Sequence, residues 1–84
     1  MGSNMSYKFL IDNFEVYAVE VNGVVLRKSK SLGTPFWDLI WNLQYIIDKC
    51  KKEFIGRSEV SADEYKKIFS FFKHSENKDV QVLP

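Results

Sequence analysis

The sequence predicts an α+β domain of order β-β-β-α-α, a three-stranded antiparallel meander followed by two α-helices, with the long helix packed on the sheet. Three observations predict it. Residues 7–29 are rich in aromatic and β-branched types and are cut by two turn signals, Asp12-Asn13 and Asn22-Gly23. Residues 35–54 carry apolar side chains at helical spacing. Ser61-Ala62-Asp63-Glu64 has the capping-box pattern that opens a second helix.

Tyr7 to Ile11 reads as the first strand. Asp12 and Asn13 follow, and both types tolerate left-handed turn conformations. Phe14 to Val21 is the second strand and Val24 to Ser29 the third. Asn22-Gly23 between them suits a type I′ turn, which needs positive φ at both central residues. Such a turn pairs Val21 with Val24, Val19 with Leu26 and Tyr17 with Lys28. If Asp12-Asn13 is a two-residue turn as well, Ile11 pairs with Phe14 and Phe9 with Val16.

Side chains alternate between the faces of a sheet. In this register Tyr7, Phe9, Ile11, Phe14, Val16, Ala18 and Val25 share one face. Leu10, Tyr17, Val19, Val21, Val24 and Leu26 share the other. Antiparallel sheets commonly keep one face wet. Two apolar faces therefore imply either cover on both sides or a partner on one. A different first turn moves the register of the first strand and changes this count.

Thr34 is a good N-cap and Pro35 suits the first helical position, so the long helix is expected from Pro35 to about Phe54, with Gly56 near its stop. Phe36, Leu39, Ile40, Leu43, Ile46, Ile47, Cys50 and Phe54 form its apolar stripe. Arg57 to Val60 reads as a connector. The second helix is expected from Ala62 to about Lys73, with Tyr65, Ile68, Phe69 and Phe72 inward and Phe71 off the stripe. Val60 and Tyr65 stand where a hydrophobic staple forms. The expected core is Phe9, Ile11, Phe14, Val16, Val19, Leu26, Phe36, Leu39, Ile40, Leu43, Ile47, Ile68, Phe69 and Phe72.

With 84 residues the chain is one domain, read as 5–74. Residues 1–4 resemble a cloning scar before Met5, and 75–84 read as a polar, partly mobile tail in which Val80-Gln81-Val82 alternates like a short edge strand. Hydrophobic residues at 45% and aromatics at 15% exclude a disordered or low-complexity chain. A formal net charge of +1 gives no bulk attraction to nucleic acid or an anionic membrane. Cys50 is the single cysteine, so no disulfide forms within the chain, and a reducing compartment fits. No signal peptide or membrane span is readable, so a cytoplasmic protein is expected. Phe, Tyr, Met, Ile, Asn and Lys make up 34 of 84 residues, a bias that AT-rich bacterial and phage genes share.

The chemistry-bearing motifs are sparse. There is no phosphate-cradling glycine loop, no Cys-x-x-Cys and no Gly-x-Ser-x-Gly turn. One His and one Cys supply neither a zinc site nor a Cys-His nucleophile, so no catalytic residue, metal or cofactor is expected. His74 reads as a surface imidazole at a helix C-terminus, and Cys50 as a small core hydrophobe. Asp63 and Glu64 are explained by capping and the helix dipole.

Two features point outward. Trp37, Trp41 and Tyr45 stand at i, i+4 and i+8, along a ridge separate from the main stripe. Cover by the second helix explains such a ridge structurally. A partner explains it functionally, since Trp and Tyr are enriched in interface hot spots. The second feature is basic: Arg27, Lys28 and Lys30 closing the third strand, and Lys49 and Lys52 at the end of the long helix. Solvated element ends explain these lysines structurally, and phosphate contacts would be the functional reading. The expected function is a small non-enzymatic protein-interaction module, such as a regulator, inhibitor or accessory subunit. It would bind another protein, or itself as a homodimer, through the ridge or an uncovered sheet face. The alternative is a nucleic-acid-binding module that uses the three-stranded sheet and the basic ends.

Overall fold

A computed structural model of the protein describes residues 6–28 and 34–76. β1 (Tyr7–Asp12), β2 (Glu15–Val21) and β3 (Val24–Arg27) form the expected meander, and α1 (Thr34–Lys49) and α2 (Ala62–Glu76) follow. The fold class is as expected, a mixed α+β domain with the long helix against the sheet. The supposed connector differs. Its end, continued into Ser61, forms β4 (Glu59–Ser61), which runs antiparallel to β1, so the sheet has the order β3-β2-β1-β4. Three residues are too few to show a strand period in sequence. What makes the strand is Val60, which stands opposite Phe9 and is fully buried. The Ile11 N–H extends the pairing by donating to the Ser58 carbonyl at 2.8 Å.

The second hairpin has the expected register, with Val21 opposite Val24 and Val19 opposite Leu26. Asn22 and Gly23 take φ of 48° and 89°, as a type I′ turn demands. The first hairpin corrects two expectations. Its turn residues are Asn13 and Phe14, with φ of 52° and 64°, not Asp12 and Asn13. Asp12 therefore pairs with Glu15 and Ile11 with Val16. The register then slips between Leu10 and Ile11, so that Leu10 meets Ala18 and Phe9 meets Val19 rather than Val16. Tyr17 is the extra residue of a β-bulge.

That bulge accounts for the two apolar faces. A one-residue slip moves every later side chain to the opposite face. Tyr7, Phe9, Ile11 and Val16 from one expected set join Val21, Val19 and Leu26 from the other, and all pack in the core. The outer face keeps Lys8, Leu10, Glu20, Val25, Arg27 and Glu59 with a small buried Ala18. One sheet face is dry and the other is mostly charged, the ordinary antiparallel pattern.

Both helices lie on the dry face. α1 packs over β2, and α2 over β1 and β4. Phe36 meets Tyr7 edge to face at 5.4 Å, and Tyr65 meets Phe9 in the same way at 5.4 Å. Ile40, Leu43, Ile46 and Ile47 of α1 are buried. Burying each such side chain contributes roughly 1.5–3 kcal/mol. Of the expected core, Phe14, Leu26, Phe36, Leu39, Ile68 and Phe69 are half-buried at its margin. Phe54, Val60 and Tyr65 fill the centre beside them.

α1 stops at Lys49, earlier than expected. Cys50 leaves helical geometry at φ −118°, ψ 45°, and Lys51–Phe54 form a single 3₁₀ turn. The lysines stay in water while Phe54 turns into the core. Gly56, with φ 83°, then redirects the chain to β4. At α2, Ser61 Oγ accepts the Glu64 N–H at 3.2 Å, which is one half of the capping box. The other half is replaced: the Glu64 carboxylate takes the Arg57 guanidinium, across the turn that leads into β4. α2 runs to Glu76, three residues beyond the expected end. The expected edge strand at Val80-Gln81-Val82, Lys30 and residues 1–4 lie outside the described residues.

Candidate functional site

α1 buries one side against the sheet, and Trp37, Trp41 and Tyr45 run along its other side. Their environments are graded. Trp37 is half-buried against the core margin. Trp41 is 63% exposed, and its indole lies 6.3 Å from that of Trp37 with the planes tilted by 32°. Tyr45 is 38% exposed and sets its ring against the edge of Phe72 at 5.9 Å. The Lys49 ammonium stands 5.4 Å from the Tyr45 ring centre. α2 meets the Tyr45 end of the ridge through Phe72. The middle is open indole.

The join between the helices is made beside this ridge. Burial pushes the Tyr65 hydroxyl above the usual tyrosine range, an effect that the neighbouring Asn42 side chain of α1 partly opposes. Burial raises Tyr7 in the same direction. The Tyr65 ring stacks on Phe69 at 5.7 Å, one turn further along α2.

The basic residues are brought toward one end of the molecule. Lys28 reaches Glu15 at 3.5 Å, and Lys51 lies 5.7 Å over the Phe14 ring, so both clusters flank the β1–β2 turn. Lys49 at the end of α1 and Lys52 in the 3₁₀ turn are exposed. Acidic groups are interleaved: Asp12 and Glu15 on the hairpin, and Asp48 on α1 next to Gln44 at 3.2 Å. Arg27 lies 6.0 Å from the Tyr17 ring centre.

One surface was not legible in advance. A groove of about 460 Å³ lies between the end of α1, the 3₁₀ turn and α2. Ile46, Cys50, Phe54, Ile68 and Phe72 form its floor, and Phe71, 74% exposed, stands at its side. Phe71 falling off the stripe of α2 was its only sequence signal. Cys50 is thus half-buried beneath a groove, and His74 is exposed at the end of α2. Among the described residues no three His, Cys, Asp or Glu side chains gather as metal ligands would, and no helix is long and apolar enough to cross a membrane.

No protein-family model matches the chain, and neither a curated protein nor a solved structure matches it.

Proposed function

We propose that the protein is a small non-enzymatic interaction module that binds another protein through the aromatic ridge of α1. The observation that carries this reading is the exposed indole of Trp41, flanked by Trp37 and Tyr45. Large, stiff aromatic side chains give much contact area for little conformational entropy, and they anchor interfaces when a partner excludes water around them. Asp48 and Lys49 supply a polar border at one end. The outer sheet face is a weaker candidate, because its apolar residues are scattered among Lys8, Glu15, Glu20, Arg27 and Glu59. A role as regulator, inhibitor or accessory subunit in a reducing, cytoplasmic setting fits a chain with one cysteine and no catalytic constellation.

Affinity capture tests it, with wild type and Trp41→Ala as baits and the bound proteins identified by mass spectrometry. A partner retained by wild type and lost by Trp41→Ala supports the reading. A partner set that Trp41→Ala leaves intact counts against it.

Nucleic-acid binding is the second reading, through Arg27, Lys28, Lys49 and Lys52, and the placing of Lys28 and Lys51 on either side of the β1–β2 turn favours it. The interleaved carboxylates weaken it. Phosphate contacts are strongest at low salt. Failure to retain single- or double-stranded DNA under those conditions would end this reading.

A further inference from the structure

We infer that the free side of β3 docks a second copy of this chain, paired antiparallel about a two-fold axis through Leu26. This surface is separate from the aromatic ridge. The argument starts from the ladder. Val24 pairs with Val21 at the turn, Leu26 with Val19, and the Lys28 N–H donates to the Tyr17 carbonyl at 3.4 Å. Hydrogen-bonded positions alternate along an antiparallel pair. The backbone N–H and C=O groups of Val25 and Arg27 therefore point away from the sheet. Among the described residues none of these groups has a partner.

The side chains along this edge are apolar and wet, with Val24 at 59% and Val25 at 48% exposure. Proteins blunt such edges with proline, bulges, charged side chains or very short strands; β3 has four residues and carries Arg27, but it has no proline and no bulge to turn a partner strand away. The opposite edge differs. β4 has three residues, its Glu59 is held by Lys8 at 3.2 Å, and it runs directly into α2.

Charge selects the occupant. Pairing about Leu26 sets Val25 opposite the second copy's Arg27, and each such pair exchanges two backbone hydrogen bonds. Along the outer face the row then reads Glu20, Val25, the second copy's Arg27 and the second copy's Ala18, because Glu20 faces Val25 and Ala18 faces Arg27 within each chain. Glu20 and the second copy's Arg27 stand two strand spacings apart, about 10 Å. Their side chains close that gap over Val25. Within one chain Glu20 has no ion pair among the described residues, and Arg27 has only the Tyr17 ring. The two-fold axis makes the new ion pair twice and draws the two Arg27 side chains apart. On the dry face Leu26 meets Leu26 on the axis. A neutral strand from another protein would satisfy the backbone but bring no carboxylate to Arg27, and would leave Glu20 with Lys8 alone, which already holds Glu59. So short an edge buries less than the roughly 800 Å² per partner of a standard interface, so the dimer is expected to be weak.

Sedimentation equilibrium from micromolar to millimolar concentration tests this. Wild type is expected to show a reversible monomer–dimer equilibrium. Glu20→Arg and Arg27→Glu each set like charges across the axis and are expected to weaken dimerisation about tenfold or more. An equimolar mixture of the two variants is expected to recover it, since both cross-axis pairs are then of opposite sign. Val25→Pro removes only an outward N–H, is tolerable at an edge, and is expected to abolish the dimer. Circular dichroism checks that each variant folds, and if Val25→Pro does not, the charge variants decide alone. A wild-type monomer at millimolar concentration overturns the inference. So does a dimer that neither single charge variant weakens.

Discussion

Gln44 on α1 holds the backbone of Val16: its Oε1 accepts the Val16 N–H at 2.9 Å. The same amide donates through Nε2 to the Phe14 carbonyl, also at 2.9 Å. One side chain thus clamps the chain on both sides of Glu15, where a tight turn and a bulge interrupt the ladder. The backbone groups that the irregular register leaves unpaired are met by the helix.

Gln44→Ala strands a half-buried N–H and a carbonyl together. An unsatisfied buried group costs about 1–3 kcal/mol, so a loss of at least that size is expected in urea unfolding. A loss under about 0.5 kcal/mol, the ordinary range of a surface substitution, would show that the clamp is incidental.

Two adjacent phenylalanines on α2 should behave oppositely. Phe72 is 5% exposed and holds Tyr45, whereas Phe71 is 74% exposed. Phe72→Ala is expected to cost about 3–5 kcal/mol, and Phe71→Ala within about 0.5 kcal/mol of nothing. Thermal and urea denaturation read both. Similar losses for the two would mean that α2 is rotated from the orientation described.

Tyr65 sets an alkaline limit. Burial raises its hydroxyl pKa, partly opposed by the Asn42 side chain, so the folded chain keeps this proton where the unfolded chain has lost it. The contribution of Tyr65 to stability is therefore fully present below about pH 10, the ordinary tyrosine value, and is lost as pH rises beyond it. Tyr65→Phe should flatten that fall, as read from urea midpoints on either side of the ordinary value. An unchanged slope would exclude Tyr65 as a contributor.

Trp41→Ala should leave stability nearly untouched, within about 0.5 kcal/mol, because the indole is mostly in water. A loss of about 2 kcal/mol or more, typical of core truncation, would make the indole structural and remove the main support for the ridge as a binding surface.

The second hairpin was legible because Asn22-Gly23 admits one turn type and so fixes one register. The first hairpin was not. Asn13 is an ordinary left-handed residue, but Phe14 at φ 64° is not, since a bulky side chain rarely adopts that region. Its Gln44 support comes from 30 residues away along the chain. The bulge at Tyr17 has no local signature either, yet it decides which face every residue of β2 beyond it occupies. The ridge of Trp37, Trp41 and Tyr45 was readable from helical spacing. How α2 meets it was not, because that depends on Phe72 reaching Tyr45. The groove beside Phe71 exists only because α1 breaks at Cys50, and nothing in the lysine-rich run from Lys49 to Lys52 marks that break.

The most direct measurement places a photo-crosslinking amino acid at position 41, and in separate variants at positions 10 and 71, and compares the products formed in the presence of the native partner. Positions 10 and 71 sample the outer sheet face and the groove. The account predicts a cross-linked product from position 41 and none from position 10 or 71. Products from position 10 or 71 with none from 41 would contradict it, and would move the interaction off the aromatic ridge.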